Sequence, residues 1–115
     1  MSAEYFNNAD WTEIANADNA LATATKAAVV GESHYVVGIA GSYTVTDDGM
    51  LTLKDGSTEI FKVHIYNSFS IMFPFPINIT IGAACSVELA ASGTPSTFGH
   101  VSLVGLTSAR TQERG

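Results

Sequence analysis

Large apolar residues alternate with polar ones along much of the chain, with the period of two that is typical of β-strands. Between Glu59 and Tyr66 this alternation puts Phe61, Val63 and Ile65 on one face of a strand. The segments 50–54 and 99–107 repeat the pattern. A sheet with one covered and one wetter face produces such alternation. The predicted strands are Ala22–Val30, His34–Val45, Met50–Lys54, Glu59–Tyr66, Ser70–Phe73, Ile77–Ile81, Ser86–Ala91 and Gly99–Thr107.

Glycine and Asx residues separate these runs at short intervals, as in a β-sandwich or barrel. Asp55-Gly56 predicts a hairpin, and the glycines Gly38 and Gly41 inside one long run predict a bulge or a corner. Pro74 and Pro76 cannot donate to a central ladder, so their segment is expected at an edge or crossing between sheets. These signals predict an all-β, antiparallel two-sheet β-sandwich that is jelly-roll-like.

The first 20 residues are polar and carry scattered aromatic side chains. Asp10 and Glu13 match a capping box for a helix of barely two turns, and so short a helix is marginal in water. We therefore expect residues 1–20 to form a short, mostly irregular N-terminal arm and residues 21–115 to form the sandwich domain. Such an arm can become ordered on binding a partner. Its predicted docking residues are Tyr5, Phe6, Trp11 and Ile14.

Composition and charge exclude or disfavour several classes of function for this chain. The 115 residues are 46% hydrophobic and only 14% charged, which excludes a wholly disordered chain. The net charge of −6 disfavours nucleic acid as a partner, because phosphates repel an acidic surface. The most apolar window, 69–85, is interrupted by prolines and is shorter than the ~20 residues of a spanning helix, so we expect no membrane partner. The N-terminus lacks a secretory signal pattern, and the expected place of synthesis is a reducing host cytoplasm.

Few residues suggest chemistry. The single cysteine, Cys85, lies in an apolar stretch and is expected to fill the core. His34, His64 and His100 fall on three different predicted strands; three imidazoles can bind zinc, but no pair here has ligand spacing. One variant stays open, in which a histidine from each of three subunits meets on a threefold axis. No nucleophile motif or phosphate-binding loop is present, so we expect neither an enzyme nor a cofactor.

Apolar and aromatic residues are abundant for a small sandwich. On the strand Glu59–Tyr66 some of them fall on the face opposite Phe61. Either the N-terminal arm covers that face, or another copy of the chain does, as in a homotrimer. The predicted self-association residues are Ile60, His64, Tyr66, Phe73 and Phe75.

Five segments over about three quarters of the chain resemble small structural proteins of tailed phages: GESHYVVGI (31–39), LTLKDGS (51–57), FPFPI (73–77), VELAASG (87–93) and GHVSLVG (99–105). Among these proteins, capsid decoration (cement) proteins are the most similar in size and acidity. The resemblance implies a non-enzymatic virion protein on the capsid surface. It would bind the major capsid protein as a trimer on the outer head surface and stabilise the shell.

A different function class remains open. β-Sandwiches also occur as carbohydrate- or receptor-binding modules, for example in phage tails and fibres. That alternative predicts a concave site with an aromatic ring beside Asp or Asn, near Tyr43, Asp47 and Asp48.

Overall fold

A computed structural model describes residues 11–94 and 96–109. These residues form eight β-strands: β1 (Trp11–Asp18), β2 (Ala22–Lys26), β3 (Glu32–Tyr43), β4 (Asp48–Asp55), β5 (Thr58–Tyr66), β6 (Ser68–Asn78), β7 (Cys85–Leu89) and β8 (Phe98–Ala109). None of the described residues belongs to a helix that could cross a membrane.

The strands form two antiparallel sheets of four. Sheet A has the order β1-β8-β3-β6 and sheet B the order β2-β7-β4-β5. Every connection except the β4–β5 hairpin crosses from one sheet to the other. This is the jelly-roll arrangement of two face-to-face sheets. The predicted fold class, an all-β two-sheet sandwich, is confirmed.

The core lies between the sheets and follows the predicted alternation. Leu51, Leu53 and Ile65 of sheet B face Ile39 and Leu103 of sheet A, all nearly fully buried. Along β5 the neighbours of the inward residues in sequence point outward and are exposed, so this part of sheet B has one dry and one accessible face.

Strand β1 corrects the predicted N-terminal arm. Residues 11–18 form neither an irregular arm nor a capped helix, but an edge strand paired with β8 along its whole length. Trp11, Ala15 and Ala17 pack against the core, while Ile14 points outward and is 69% exposed. The sandwich therefore includes residues assigned to the arm, and Tyr5, Phe6 and Asp10 lie outside the described residues.

The proline segment lies at an edge, as predicted. The two strands expected around it are a single strand, β6, at the edge of sheet A. Its pairing with β3 is interrupted between Met72 and Ile77, opposite the bulge of β3 between Val36 and Gly38. Because the prolines fall within this irregular stretch, their missing N–H groups leave no gap in a regular ladder. The predicted bulge near Gly38 is confirmed.

Candidate functional site

The outer face of sheet A carries a shallow trough lined by small residues. Paired residues on neighbouring strands share a face, which gives three rows across the sheet. The first row is Thr12, Val104, Gly38 and Met72; the second is Ile14, Ser102, Ala40 and Ser70; the third is Asn16, His100, Ser42 and Ser68. We call the part formed by strands β8, β3 and β6 the serine trough. Small side chains along its floor leave a depression between larger flanking groups.

The serine trough consists of two connected hollows. One of about 410 Å³ is bordered by Ser42, Ser68 and His100. The other, of about 210 Å³, is bordered by Met72 and Val104. Both share the side chains of Ala40, Ser70 and Ser102, so they form one depression along strand β3. The larger hollow is within the size range of small-molecule sites.

Four hydroxyl groups in the trough have no partner among the described residues: those of Ser42, Ser68, Ser70 and Ser102. Each can donate one hydrogen bond and accept two. Among the described residues that line either hollow, none is Asp, Glu, Lys or Arg. The trough therefore offers hydrogen bonds to a neutral ligand, and a charged ligand would find no counter-charge there.

The trough has an aromatic border at its polar end. The rings of Phe98 and His100 lie nearly parallel, with 18° between their planes and 6.3 Å between their centroids. Phe98 is 38% exposed and lies on the same outward face as His100, two residues along β8. A ring at this position can contact the carbon face of a bound ligand.

The outer face of sheet B differs in chemistry because it is charged. Lys54 pairs with Glu88 at 3.2 Å, and Lys62 pairs with Glu59 at 2.9 Å. The first pair joins strands β4 and β7, and the second lies within β5. Accessible ion pairs of this kind are typical of a solvated sheet surface, and each contributes little to stability. The prediction that apolar groups occupy the second side of the sheets holds for sheet B only at isolated positions.

The predicted self-association residues do not all reach the surface. Tyr66 is 74% and Ile60 41% exposed on the outer face of sheet B, and Phe75 on β6 is 82% exposed. Phe73 is an exception. It is only 7% exposed because it packs edge-on against Phe61 in the core, with 5.8 Å between ring centroids. Phe73 is therefore a core residue that cannot contact another copy, whereas the others remain available.

The site predicted near Tyr43 has no accessible aromatic ring. Tyr43 is 5% exposed, and its hydroxyl donates to the carbonyl oxygen of Ala90 at 2.9 Å. Burial, and then the negative charges of Asp47 and Asp48, raise the pKa of Tyr43, which keeps this donor protonated. Asp47 accepts hydrogen bonds from the Asp48 N–H and the Thr94 hydroxyl. The Asp47 carboxylate thus holds two loops together, and Tyr43 is unavailable to a ligand.

The three histidines have different environments. His100 borders the serine trough, and His64 lies on the outer face of sheet B, 3.1 Å from Asp48 and beside Tyr66. His34 is fully buried. Among the described residues, no group of three or more His, Cys, Asp or Glu could hold a metal ion.

Buried His34 connects strand β1 to the core. Its Nε2 must donate to the carbonyl oxygen of Ala27 at 2.8 Å, since a carbonyl only accepts. Its Nδ1 then accepts from the Thr107 hydroxyl at 2.7 Å, and that oxygen accepts from Trp11 Nε1 at 2.9 Å. The Lys26 ammonium lies 5.5 Å from the centre of the Trp11 ring. Trp11 thus fixes one end of β1, whose Ile14 borders the trough opposite Ser102.

Cys85 fills the core, as predicted. It is 1% exposed, and burial, followed by the negative charge of Asp55, raises the pKa of its thiol to about 12. The thiol therefore stays protonated near neutral pH and is not a nucleophile.

The sequence analysis missed the serines of the trough. A signal was present, because six of the nine positions in the three rows of β8, β3 and β6 are occupied by small residues: Gly38, Ala40, Ser42, Ser68, Ser70 and Ser102. Exposed strand positions more often carry large polar or β-branched side chains. A run of small outward residues is therefore a sequence pattern that indicates a depression.

No protein-family model matches the chain, and no curated protein matches it in sequence. Among solved structures, it is similar to a carbohydrate-binding module CBM36 in complex with calcium and xylotriose, with 11% identity and a TM-score of 0.44, covering 83% of this chain and 78% of that one. It is also similar to CsCBM6-3 from Clostridium stercorarium in complex with cellobiose, with 11% identity, a TM-score of 0.40 and 91% of each chain covered. The Tobacco streak virus coat protein matches with 6% identity and a TM-score of 0.31, covering 84% and 86%. At these values the similarities carry no argument about function. Of the resemblance to phage decoration proteins, only the β-sandwich is supported.

Proposed function

We propose that the chain is a non-catalytic binding module that holds a neutral oligosaccharide in the serine trough. The observation that carries this proposal is the set of four unpartnered serine hydroxyls in an open, uncharged depression. Sugar hydroxyls donate and accept in the same way as serine hydroxyls, so each can pair with a protein group without a charge being buried.

The shape of the trough also supports a saccharide. It follows strand β3 from Gly38 to Ser42, a distance of about 13 Å at ~3.3 Å per residue. The rings of His100 and Phe98 border its polar end and offer an apolar surface to the C–H face of a sugar ring. An extended ligand can therefore contact hydroxyls along the floor and carbon at the ends.

Removing one of these hydroxyls is expected to weaken binding. Ser42→Ala and Ser70→Ala should each lower the affinity for a bound neutral oligosaccharide about 2- to 12-fold, because each removes a hydrogen bond between neutral groups. The measurement is a glycan array followed by calorimetric titration with the oligosaccharides that bind. Thr23→Ala is the matched control, since Thr23 is exposed on the outer face of sheet B, outside the trough. If no neutral glycan binds, or if the serine variants bind as tightly as the unaltered chain, the proposal is wrong.

A second candidate function rests on a different observation, the exposure of Phe75, Tyr66 and Ile60 at 82%, 74% and 41%. We propose as this alternative a virion decoration protein that forms trimers and binds the major capsid protein. Exposed large apolar groups favour contacts with other protein surfaces. Ile60 and Phe75 belong to β5 and β6, the edge strands that meet where Phe61 contacts Phe73.

The alternative predicts a specific assembly in solution. Sedimentation of the chain at micromolar concentration should give three times its mass of 12.1 kDa. The double variant Phe75→Ser and Tyr66→Ser should dissociate it, because two apolar groups would be lost from each contact. Val30→Ser is the control, since Val30 is 95% exposed in the β2–β3 connection. Sedimentation as a 12.1 kDa monomer would remove the trimer from consideration.

A further inference from the structure

The two hollows of the serine trough differ in polarity. The larger is bordered by serines and His100, whereas the smaller is bordered mainly by the side chains of Met72 and Val104 and by backbone around Gly38, because the side chains of Ile39 and Ile71 point into the core. The smaller hollow has a volume of about 210 Å³ and is open to solvent on one side. Water there finds few hydrogen-bond partners, so its replacement by an apolar group is favourable.

Gly38 and Met72 shape the apolar hollow. A Cβ atom at Gly38 would lie 2.6 Å from the Met72 sulfur and 2.9 Å from the carbonyl oxygen of Ile71, so only glycine lets strand β6 and the thioether lie this close. Met72 is 58% exposed, and its unbranched side chain can adapt to a ligand. The hollow is thus a flexible apolar end of a hydroxyl-lined trough.

We propose that the apolar hollow binds a methyl group of the saccharide, either a 6-deoxy methyl or the methyl of an N-acetyl group, while the serines bind its hydroxyls. This inference rests on the proposed saccharide function. The two hollows are continuous, because Ala40, Ser70 and Ser102 line both, so one ligand can occupy both. A fully hydroxylated sugar would leave hydroxyls facing Met72 and Val104 without partners, which is unfavourable. A methyl group at the same position has no hydrogen bonds to lose.

Pairs of sugars that differ in one kind of substituent test this inference. NMR titration would compare D-glucose with 6-deoxy-D-glucose, and cellotriose with chitotriose, so that the two arms separate a deoxy methyl from an acetyl methyl. In one arm the methyl-bearing sugar should bind about fourfold more tightly, because the acetyl arm adds a buried methyl group and the deoxy arm removes a hydroxyl that would face apolar atoms. Equal affinities within both pairs overturn the inference and leave the proposed function intact. Binding of none of the four sugars, nor of any glycan on the array, overturns both.

A substitution at Met72 tests whether the preference for the methyl-bearing sugar arises in the smaller hollow. Met72→Gln keeps the length of the side chain but makes its end polar, and should reduce the fourfold preference to less than about twofold. Phe75→Gln is the matched control, because Phe75 is an exposed apolar residue of the same edge strand outside both hollows. An undiminished preference in Met72→Gln, or an equal loss in Phe75→Gln, contradicts the assignment of the methyl site.

Discussion

Replacing Ala40 by tryptophan is expected to abolish saccharide binding while leaving the sandwich folded. Ala40 lies at the centre of the serine trough, between Ser102 of β8 and Ser70 of β6, and lines both hollows. An indole there would fill the depression and cover both neighbouring hydroxyls. Loss of two hydrogen bonds at ~1 kcal/mol each lowers the affinity about 30-fold, and the occupied volume lowers it further.

Calorimetric titration and thermal unfolding together check this expectation. The melting temperature should change little, because tryptophan is favourable in strands and the site faces outward. Thr25→Trp is the matched control: it adds the same side chain at an exposed position on the outer face of sheet B. Full affinity in Ala40→Trp would move the binding site away from sheet A. A similar loss in Thr25→Trp would show that the effect is not local.

The strands of the sandwich could be predicted from sequence where the alternation of large apolar residues is strong. Strand β5 is an example, since its three inward residues are Phe61, Val63 and Ile65. Strand β1 could not be found in this way. Its half-buried positions include Glu13 and its exposed positions include the larger Ile14, so the alternation of apolar and polar residues is broken in the middle of the strand. The pairing of β1 with β8 decides the structure there, and local sequence does not encode it.

The candidate site could not be predicted for a related reason. Ser42, Ser70 and Ser102 belong to different strands, and they come together only through the register of β3 with β6 and β8. Each serine alone is an ordinary surface residue. The exposure of single side chains could not be predicted from sequence either. Phe73 and Phe75 occupy equivalent positions in the sequence, but the irregular stretch of β6 buries Phe73 and exposes Phe75.

Replacing Gly105 by alanine is expected to destabilise the protein by about 2–4 kcal/mol. Gly105 faces inward on β8, directly beneath the indole of Trp11. An added methyl group would lie 2.6 Å from two ring carbons of Trp11 and would also clash with the backbone carbonyl of Tyr35. Relief requires the indole to move, which breaks the hydrogen bond from Trp11 Nε1 to the Thr107 hydroxyl.

The substitution in the core also affects the serine trough. Displacement of Trp11 loosens the edge strand β1, whose Ile14 and Asn16 lie beside Ser102 and His100 of the trough. Urea unfolding gives the free energy, and the emission of Trp11, the only tryptophan, should shift to the red as its ring becomes hydrated. In a double-mutant cycle, Gly105→Ala should cost less in a Trp11→Ala background, since the ring is then absent. Additive effects of the two substitutions, or a loss below about 0.5 kcal/mol for Gly105→Ala, would contradict this role of Gly105.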